Sequence, residues 1–263
     1  YWDMSVNGYT YANKMLNLPD EYKVSGMPNG NQRIYEGKDI YRWEMRQFAG
    51  LDEKGNSLWY MDQDILDDAG NVVGVEKVTT GDATEATQYL LEKSALPDFT
   101  GGLNTTLRWK SLDLTIMTNF QFGGYGYDYD FSAFSSANFP MNRLKNYADA
   151  WNPETGKGSA PIWNTNDSNI NASSDRFLIS KTYFNLRNIT LGYTFPANWM
   201  SKIGIKSVRV YFACDNVFFA SKRKGYDPRT SMGGQGATVA LNSVDGTYYS
   251  PIRTTSVGLN INF

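Results

Sequence analysis

The side chains that could do chemistry in this sequence are mainly carboxylates, because it contains no His and a single Cys. Asp128 and Asp130 are two residues apart, which places both on one face of an extended chain. Such a pair could supply the acid and the base of a glycosidase. Nothing around them supplies the rest of an active site, and the lack of His removes His-based triads and zinc sites. We therefore predict no catalytic residue, no cofactor and no enzymatic activity.

A second group of carboxylates, Asp62, Asp64 and Asp67, has the oxygen chemistry that Ca²⁺ prefers. An EF-type loop places ligands at positions 1, 3 and 5 and a Gly at position 6. In a loop that begins at Asp62, the last two of these positions hold Leu66 and Asp67. The pattern therefore favours a solvated acidic loop, and we predict no metal site.

Aromatic residues in the long connections are the remaining candidates for a binding function. Exposed rings could stack on sugar rings or contact a partner protein. The alternative is that they pack the connections against one another or form an interfacial girdle. The candidates for contact with a substrate or with a partner protein are Tyr125, Tyr127, Trp151 and Trp163.

Charge and hydropathy narrow the class of protein. The 25 Lys and Arg residues and 27 Asp and Glu residues leave a net charge of −2, without the basic excess typical of nucleic-acid binding. The longest apolar run, residues 210–214, is far shorter than the roughly 20 residues of a membrane-spanning helix. Aromatic residues make up 15% of the chain, which suits strands rich in aromatic side chains. We expect no nucleic acid as a partner, and the pattern along the strands must decide the class.

Alternation of apolar and polar residues predicts strands that each have one apolar face. At the end of the sequence, Val257, Leu259, Ile261 and Phe263 occupy the odd positions, and Ser, Gly and Asn occupy the even ones. Seven strands are predicted in this way: residues 2–6, 40–48, 103–109, 112–122, 189–195, 208–214 and 257–263. The segment 112–122 has the length of a membrane β-strand, about 9–11 residues. We predict that its even residues, and the odd residues of 189–195 and 257–263, face lipid.

The connections between these strands are alternately short and long, which is typical of outer-membrane barrels. Lys110 and Ser111 form a predicted two-residue hairpin turn, and residues 196–205 form the other short connection. The long connections, 123–182 and 220–250, are assigned to the extracellular side together with 50–98, whereas residues 13–37 are assigned to the periplasmic side. Residues 141–151 have helical spacing and predict a short helix over the barrel mouth.

Several motifs in this order resemble one protein family. They are NLRNITLGYTFP at 185–196, IKSVRVY at 205–211, DNVF at 215–218, GYDP at 225–228 and RTTSVGLNINF at 253–263. Together they resemble the C-terminal end of SusC/RagA-type TonB-dependent outer-membrane transporters. The segment PDFTGGLN at 97–104 is similar to a preceding hairpin of the same family. The similarity is specific from Pro97 onward and looser before it.

The resemblance implies an all-β fold, namely a membrane β-barrel fragment with about seven C-terminal antiparallel strands of a larger, 22-stranded barrel and long extracellular loops. Residues 1–263 would be the C-terminal portion of the barrel domain, with the plug domain and the TonB-contacting segment outside this chain. Val257, Leu259, Ile261 and Phe263 would form the signal for barrel assembly.

The resemblance also implies a function, the TonB-dependent import of a bulky nutrient across the outer membrane of a Gram-negative bacterium. The substrate would be a glycan oligomer, with peptides as the second choice. The partners would be a SusD-like surface lipoprotein, the TonB complex, the rest of the barrel with its plug, and membrane lipid. Two alternatives stay open: a secreted β-sandwich that serves as an adhesin or carbohydrate-binding module, and a secreted glycosidase. Dependence of solubility on detergent separates the barrel from both.

Overall fold

The computed structural model of the chain describes residues 1–135, 145, 149–164, 167, 169–170, 172–222 and 251–263. Antiparallel strands dominate these residues, and the predicted all-β class is confirmed. The strands are β1 (Trp2–Tyr9), β2 (Met27–Asn29), β3 (Gln32–Ile34), β4 (Arg42–Arg46), β5 (Phe48–Leu51), β6 (Ser57–Leu66), β7 (Val72–Thr80), β8 (Gln88–Ser94), β9 (Pro97–Trp109), β10 (Leu112–Gly123), β11 (Tyr125–Tyr127), β12 (Leu178–Ser180), β13 (Tyr183–Thr194), β14 (Ser207–Ser221) and β15 (Thr254–Asn262).

Helices are short throughout the described part of the chain. The α-helices are α1 (Tyr129–Phe134) and α2 (Ala197–Met200), and the 3₁₀ turns are Asp20–Tyr22, Asp175–Phe177 and Ser201–Ile203. No helix among the described residues is long and apolar enough to cross a membrane.

The main sheet has six strands in the order β1-β9-β10-β13-β14-β15, and every neighbouring pair is antiparallel. Lys110 and Ser111 join β9 to β10 as the predicted two-residue turn, with Lys110 in a left-handed conformation at φ 52°. The other short connection, which contains α2, joins β13 to β14 at the same end of the sheet. The three long connections, residues 10–96, 124–182 and 222–253, all leave from the opposite end. The predicted alternation of short and long connections is confirmed.

Two predictions for the N-terminal part are wrong. The segment 40–48 is not a strand of the main sheet, because β4 lies in a separate sheet of order β2-β3-β4-β8 and β5 begins a third sheet of order β5-β6-β7. Since β1 pairs directly with β9, residues 10–96 form one connection. Residues 13–37 therefore lie at the same end of the main sheet as residues 50–98, and not at the opposite end.

The register of the main sheet places the predicted apolar residues on one face. One row crosses all six strands and contains only large apolar side chains: Trp2, Leu107, Leu114, Leu191, Phe212 and Val257. The next row lies on the other face and contains polar or small side chains: Asp3, Thr106, Thr115, Thr190, Ala213 and Ser256. The predicted segregation of the two faces is confirmed.

A β-bulge keeps these faces aligned where the sequence alternation breaks down. Arg187 has no partner on β10, and the register shifts at this point. As a result, Phe184 and Leu186, at even positions, lie on the same apolar face as Ile189, at an odd position. β14 is irregular at the same level, where Asn216 has φ 50°. The bulge therefore keeps the apolar residues of β13 on one face, although their alternation in the sequence is interrupted.

The buried core of the described chain lies among the long connections. It contains Trp43, Met45, Leu91, Ala95, Tyr127, Phe177 and Leu178. These residues come from the first and the second long connection, so the two connections form one packed layer at this end of the main sheet. The alternation of residues 41–45 is explained by this core, since one side of β4 packs into it.

Candidate functional site

The outer face of the main sheet is an extended apolar surface. Its side chains remain well exposed in the chain by itself, among them Trp109 at 63%, Phe122 at 52% and Val257 at 75%. Water-soluble monomers rarely expose a contiguous apolar patch of more than a few hundred Å². This face therefore needs an apolar cover, and the hydrocarbon of a membrane provides one.

Aromatic side chains are concentrated at the two ends of this outer face. Those at the end with the long connections are Phe99, Phe120, Phe122, Phe184 and Phe218, and those at the end with the short turns include Trp109, Tyr193 and Phe195. Leu112 and Phe122 are separated by about 34 Å along the strand, or about 26 Å across a membrane at a strand tilt of ~40°. This matches the apolar band of about 25 Å that transmembrane barrels carry between two aromatic girdles.

The inner face is polar and internally bonded. The guanidinium of Arg209 donates to both carboxylate oxygens of Asp113, with Nε–Oδ1 at 3.0 Å and Nη2–Oδ2 at 2.6 Å. The pair passes over Gly192 on the intervening strand, where a Cβ atom would lie 2.3 Å from Arg209 Nη2 and 2.5 Å from Asp113 Oδ1. The guanidinium also lies 5.2 Å from the ring centre of Tyr211, and that ring covers Gly258. Such a wall suits contact with water, a polar solute or a polar protein surface.

Two of the four candidate aromatic residues belong to the core of the connections. Tyr127 is only 3% exposed and packs edge-on against Phe177 at 6.0 Å between ring centres. Burial raises the pKa of Tyr127, and its hydroxyl is hydrogen-bonded to Ser132 Oγ at 3.2 Å. Tyr125 is partly buried, and its carbonyl accepts a bond from Trp43 Nε1 at 3.2 Å. The ring of Tyr127 is therefore part of the core and is not available for contact with a substrate or a partner.

The other two candidates lie beside a hairpin turn at residues 52–56. The ring of Trp151 lies against Gly55, where a Cβ atom would be 2.5 Å from it, and Ile162 donates to the Gly55 carbonyl at 2.8 Å. Trp163 is 44% exposed. The structure therefore brings both tryptophans to the place where the first and second long connections meet. Most of the helix predicted at 141–151 lies outside the described residues.

The candidate carboxylates have structural roles in the fold. Asp128 is fully buried and caps α1, where its Oδ1 accepts a bond from the Phe131 N–H at 2.8 Å. The side chain of Asp130 lies outside the described part. Asp67 accepts bonds from the N–H groups of Ala69 and Asn71, and the bonds from Asn71 lower the pKa of Asp67. Within the described residues, no group of three or more His, Cys, Asp or Glu side chains could hold a metal.

Comparison with known proteins agrees with a membrane barrel. No family model matches the chain. TonB-dependent receptor P3 of Formosa agariphila is 24% identical over the whole of this chain, which covers 27% of that receptor. TonB-dependent receptor SusC of Bacteroides thetaiotaomicron is also 24% identical over the whole of this chain, which covers 24% of that receptor. The chain spans about a quarter of the length of the curated relatives that it matches.

Solved structures show the same fold. The RagAB peptide transporter superimposes on this chain with a TM-score of 0.74 at 23% identity, over 100% of this chain and 27% of that one. The RagAB peptide importer in its "open-open" state gives 0.74 at 22% identity, with the same coverage. The chain is therefore similar in sequence to TonB-dependent receptors that include SusC, and it shares its fold with part of RagAB. The outer-membrane location predicted from the sequence is confirmed, and the related receptors are not enzymes.

One feature of the first long connection was not predicted from the sequence. Residues 62–71, interpreted as an acidic loop, are the end of β6 and the turn into β7. The turn has the pattern Asp-x-x-Gly-Asn, which also occurs at residues 52–56, and in both copies the Gly has φ near +80°. Such a repeat between apolar segments is a hairpin signal that the sequence does contain. In the hairpin that results, every residue from 62 to 73 is exposed.

A buried lysine marks the junction between the packed connections and the main sheet. Lys181 lies between β12 and β13 and is only 6% exposed. Its backbone N–H donates to the Gly124 carbonyl at 2.8 Å, and its carbonyl accepts a bond from Gln121. Burial lowers the pKa of Lys181 to about 8.

Proposed function

We propose that the chain is the C-terminal portion of the barrel of a TonB-dependent importer, which carries a bulky nutrient across the outer membrane of a Gram-negative bacterium. The observation that carries this proposal is the six-stranded sheet with one apolar and one polar face. All its long connections lie at one end, as in outer-membrane barrels. Among the described residues, β1 and β15 each have one edge without a neighbouring strand, and closure into a barrel would remove both edges. The plug domain, the TonB-contacting segment and the remaining strands would belong to the longer protein.

The polar face supports a role as the wall of a lumen. The Asp113–Arg209 pair neutralises its own charges. Elsewhere on this face the hydroxyls of Thr106 and Thr115 are 3.2 Å apart, and Asn188 donates to Asp215 at 2.8 Å. A wall of polar groups that are partly hydrogen-bonded to one another can be wetted, which suits passage of a large polar solute or contact with a plug.

For the substrate we propose a bulky oligomer, with a glycan as the first candidate. Trp163 supports it, because an exposed indole ring at the mouth of the barrel could stack on a sugar ring. A peptide is the second candidate, and it is favoured by the similar RagAB structures, which are described as a peptide transporter and importer. In either case we propose that a SusD-like surface lipoprotein works with the barrel from outside, and that the TonB complex acts through the rest of the protein.

Growth of the source bacterium tests the proposal. A strain that lacks the gene should grow normally on simple sugars and free amino acids and fail on one oligomer class, either glycan or peptide. Loss of TonB should give the same defect. Trp163→Ala should weaken uptake severalfold, since the stacking of one ring contributes about 0.5–1.5 kcal/mol, while a heat-modifiable barrel still forms.

The results that would overturn the proposal are equally specific. Growth of the deletion strain on both oligomer classes at the normal rate would remove import as the function. A protein that stays soluble and monomeric without detergent would favour the secreted β-sandwich instead.

A further inference from the structure

The first long connection contains a β-hairpin that projects from the packed layer. β6 and β7 pair from Trp59 and Thr80 at the base to Leu66 and Val72 at the tip. At the base, Trp59 is 2% exposed and packs against Ala83 and Ala86. Beyond it, every residue from 62 to 73 is exposed. We call residues 63–75 the finger.

The tip of the finger is apolar on both sides. Five large side chains are 45–63% exposed: Ile65, Leu66, Val72, Val73 and Val75. Two of them, Leu66 and Val72, face each other across the hairpin. Scattered apolar residues on a surface are ordinary, but a concentrated patch at a projecting tip indicates a contact with another molecule.

The finger is ordered by contacts at its base and within its turn. At its base, Lys77 Nζ lies 4.3 Å and 4.4 Å from the ring centres of Tyr60 and Tyr89, and it donates to Gln47 at 2.7 Å. The Tyr89 hydroxyl also donates to the carboxylate of Asp62. At its tip, the turn is closed by the bonds to the carboxylate of Asp67 described above. A hairpin ordered in advance loses little conformational entropy when a partner binds it.

The charged residues beside the tip indicate which kind of molecule could bind it. Asp64, Asp68 and Glu76 lie beside the apolar tip, and within the described chain none of them forms an ion pair. Carboxylates in this position would repel the phosphates of lipopolysaccharide, and they would also repel a second copy of the same finger. They fit a protein surface that has an apolar patch bordered by Lys and Arg.

We propose that the finger is a docking surface for the surface lipoprotein, which binds its apolar tip in a basic-rimmed patch. This inference rests on the proposed function, because it concerns the partner named there. It places the contact on residues that are distinct from Trp151 and Trp163. The finger lies at the end of the sheet that carries all the long connections, where an extracellular partner would meet the barrel.

The test uses the full-length protein co-expressed with its SusD-like lipoprotein and purified through a tag on the barrel. Combined replacement of Ile65, Val72 and Val73 by Thr should weaken binding of the lipoprotein by about fivefold per side chain. Reversal of Asp64, Asp68 and Glu76 to Lys should weaken it as well, and the effect should diminish at high salt. The matched control is Val24→Thr in the same connection, because Val24 is 93% exposed outside the finger; it should leave binding unchanged.

A photo-crosslinker in place of Val73 identifies what covers the tip. A product with the mass of barrel plus lipoprotein supports the proposal. A crosslink to another part of the same barrel or to a second copy would overturn it, as would unchanged binding in the Thr and Lys variants. If the unmodified barrel itself retains no lipoprotein, the proposed partner is wrong together with this surface. Heat-modifiable migration of each variant shows that the barrel has folded.

Discussion

The ion pair on the polar face depends on a glycine, and replacing Gly192 by Val should break it. A Cβ atom at residue 192 would come within 2.3 Å of the guanidinium and 2.5 Å of the carboxylate, so Arg209 would have to swing away from Asp113. These side chains are 29% and 19% exposed, so both charges would regain only part of their hydration. Loss of a charged, bidentate pair in this setting should cost about 2 kcal/mol.

The expected net effect is smaller than this loss, because Val favours a strand over Gly by up to about 1 kcal/mol. We therefore expect Gly192→Val to lower the free energy of unfolding by about 1 kcal/mol. The measurement is urea unfolding of the full-length barrel in detergent micelles, followed by tryptophan fluorescence.

A double-mutant cycle isolates the cause of this change. When Asp113 and Arg209 are both replaced by Ala, the same Gly192→Val substitution should become neutral or stabilising. The coupling energy of the cycle should then be about 2 kcal/mol. An equal cost in both backgrounds would refute the reasoning, because the valine would then be clashing with something other than the pair.

Three further predictions follow from the faces of the sheet and from the buried lysine. A spin label at Leu191 should report hydrocarbon and one at the neighbouring Thr190 should report water; water at both positions would contradict the barrel. Deletion of Phe263 should lower the yield of heat-modifiable barrel more than deletion of any single loop residue, and an unchanged yield would remove its role as an assembly signal. Since the pKa of Lys181 falls from 10.5 to about 8 on folding, the unfolded chain holds this proton more tightly. Stability should therefore rise with pH between these values, and Lys181→Met should abolish the rise in pH-dependent unfolding.

The sequence alone determines much of the main sheet and its two faces. The odd positions of 257–263 and 189–195 and the even positions of 112–122 could be assigned because each strand alternates with a period of two, and this period is a local property of the chain. The turn at Lys110 and Ser111 could be placed for the same reason, since it separates two alternating segments. The family resemblance could also be recognised from the sequence, because its motifs lie in these local segments.

Only the tertiary structure decides which elements share a sheet and what each apolar face packs against. Alternation shows that one face of a strand is covered by an apolar environment. The pattern is the same whether that environment is lipid or a small protein core, and at Trp43 and Met45 it is a core. At the bulge at Arg187, the apolar face of β13 changes from even to odd positions, and only the register with β10 shows this change. The burial of Tyr127 and the exposed apolar tip of the finger could not be predicted from the sequence for a similar reason. Burial depends on contacts between segments that are far apart in the sequence, and local patterns do not show these contacts.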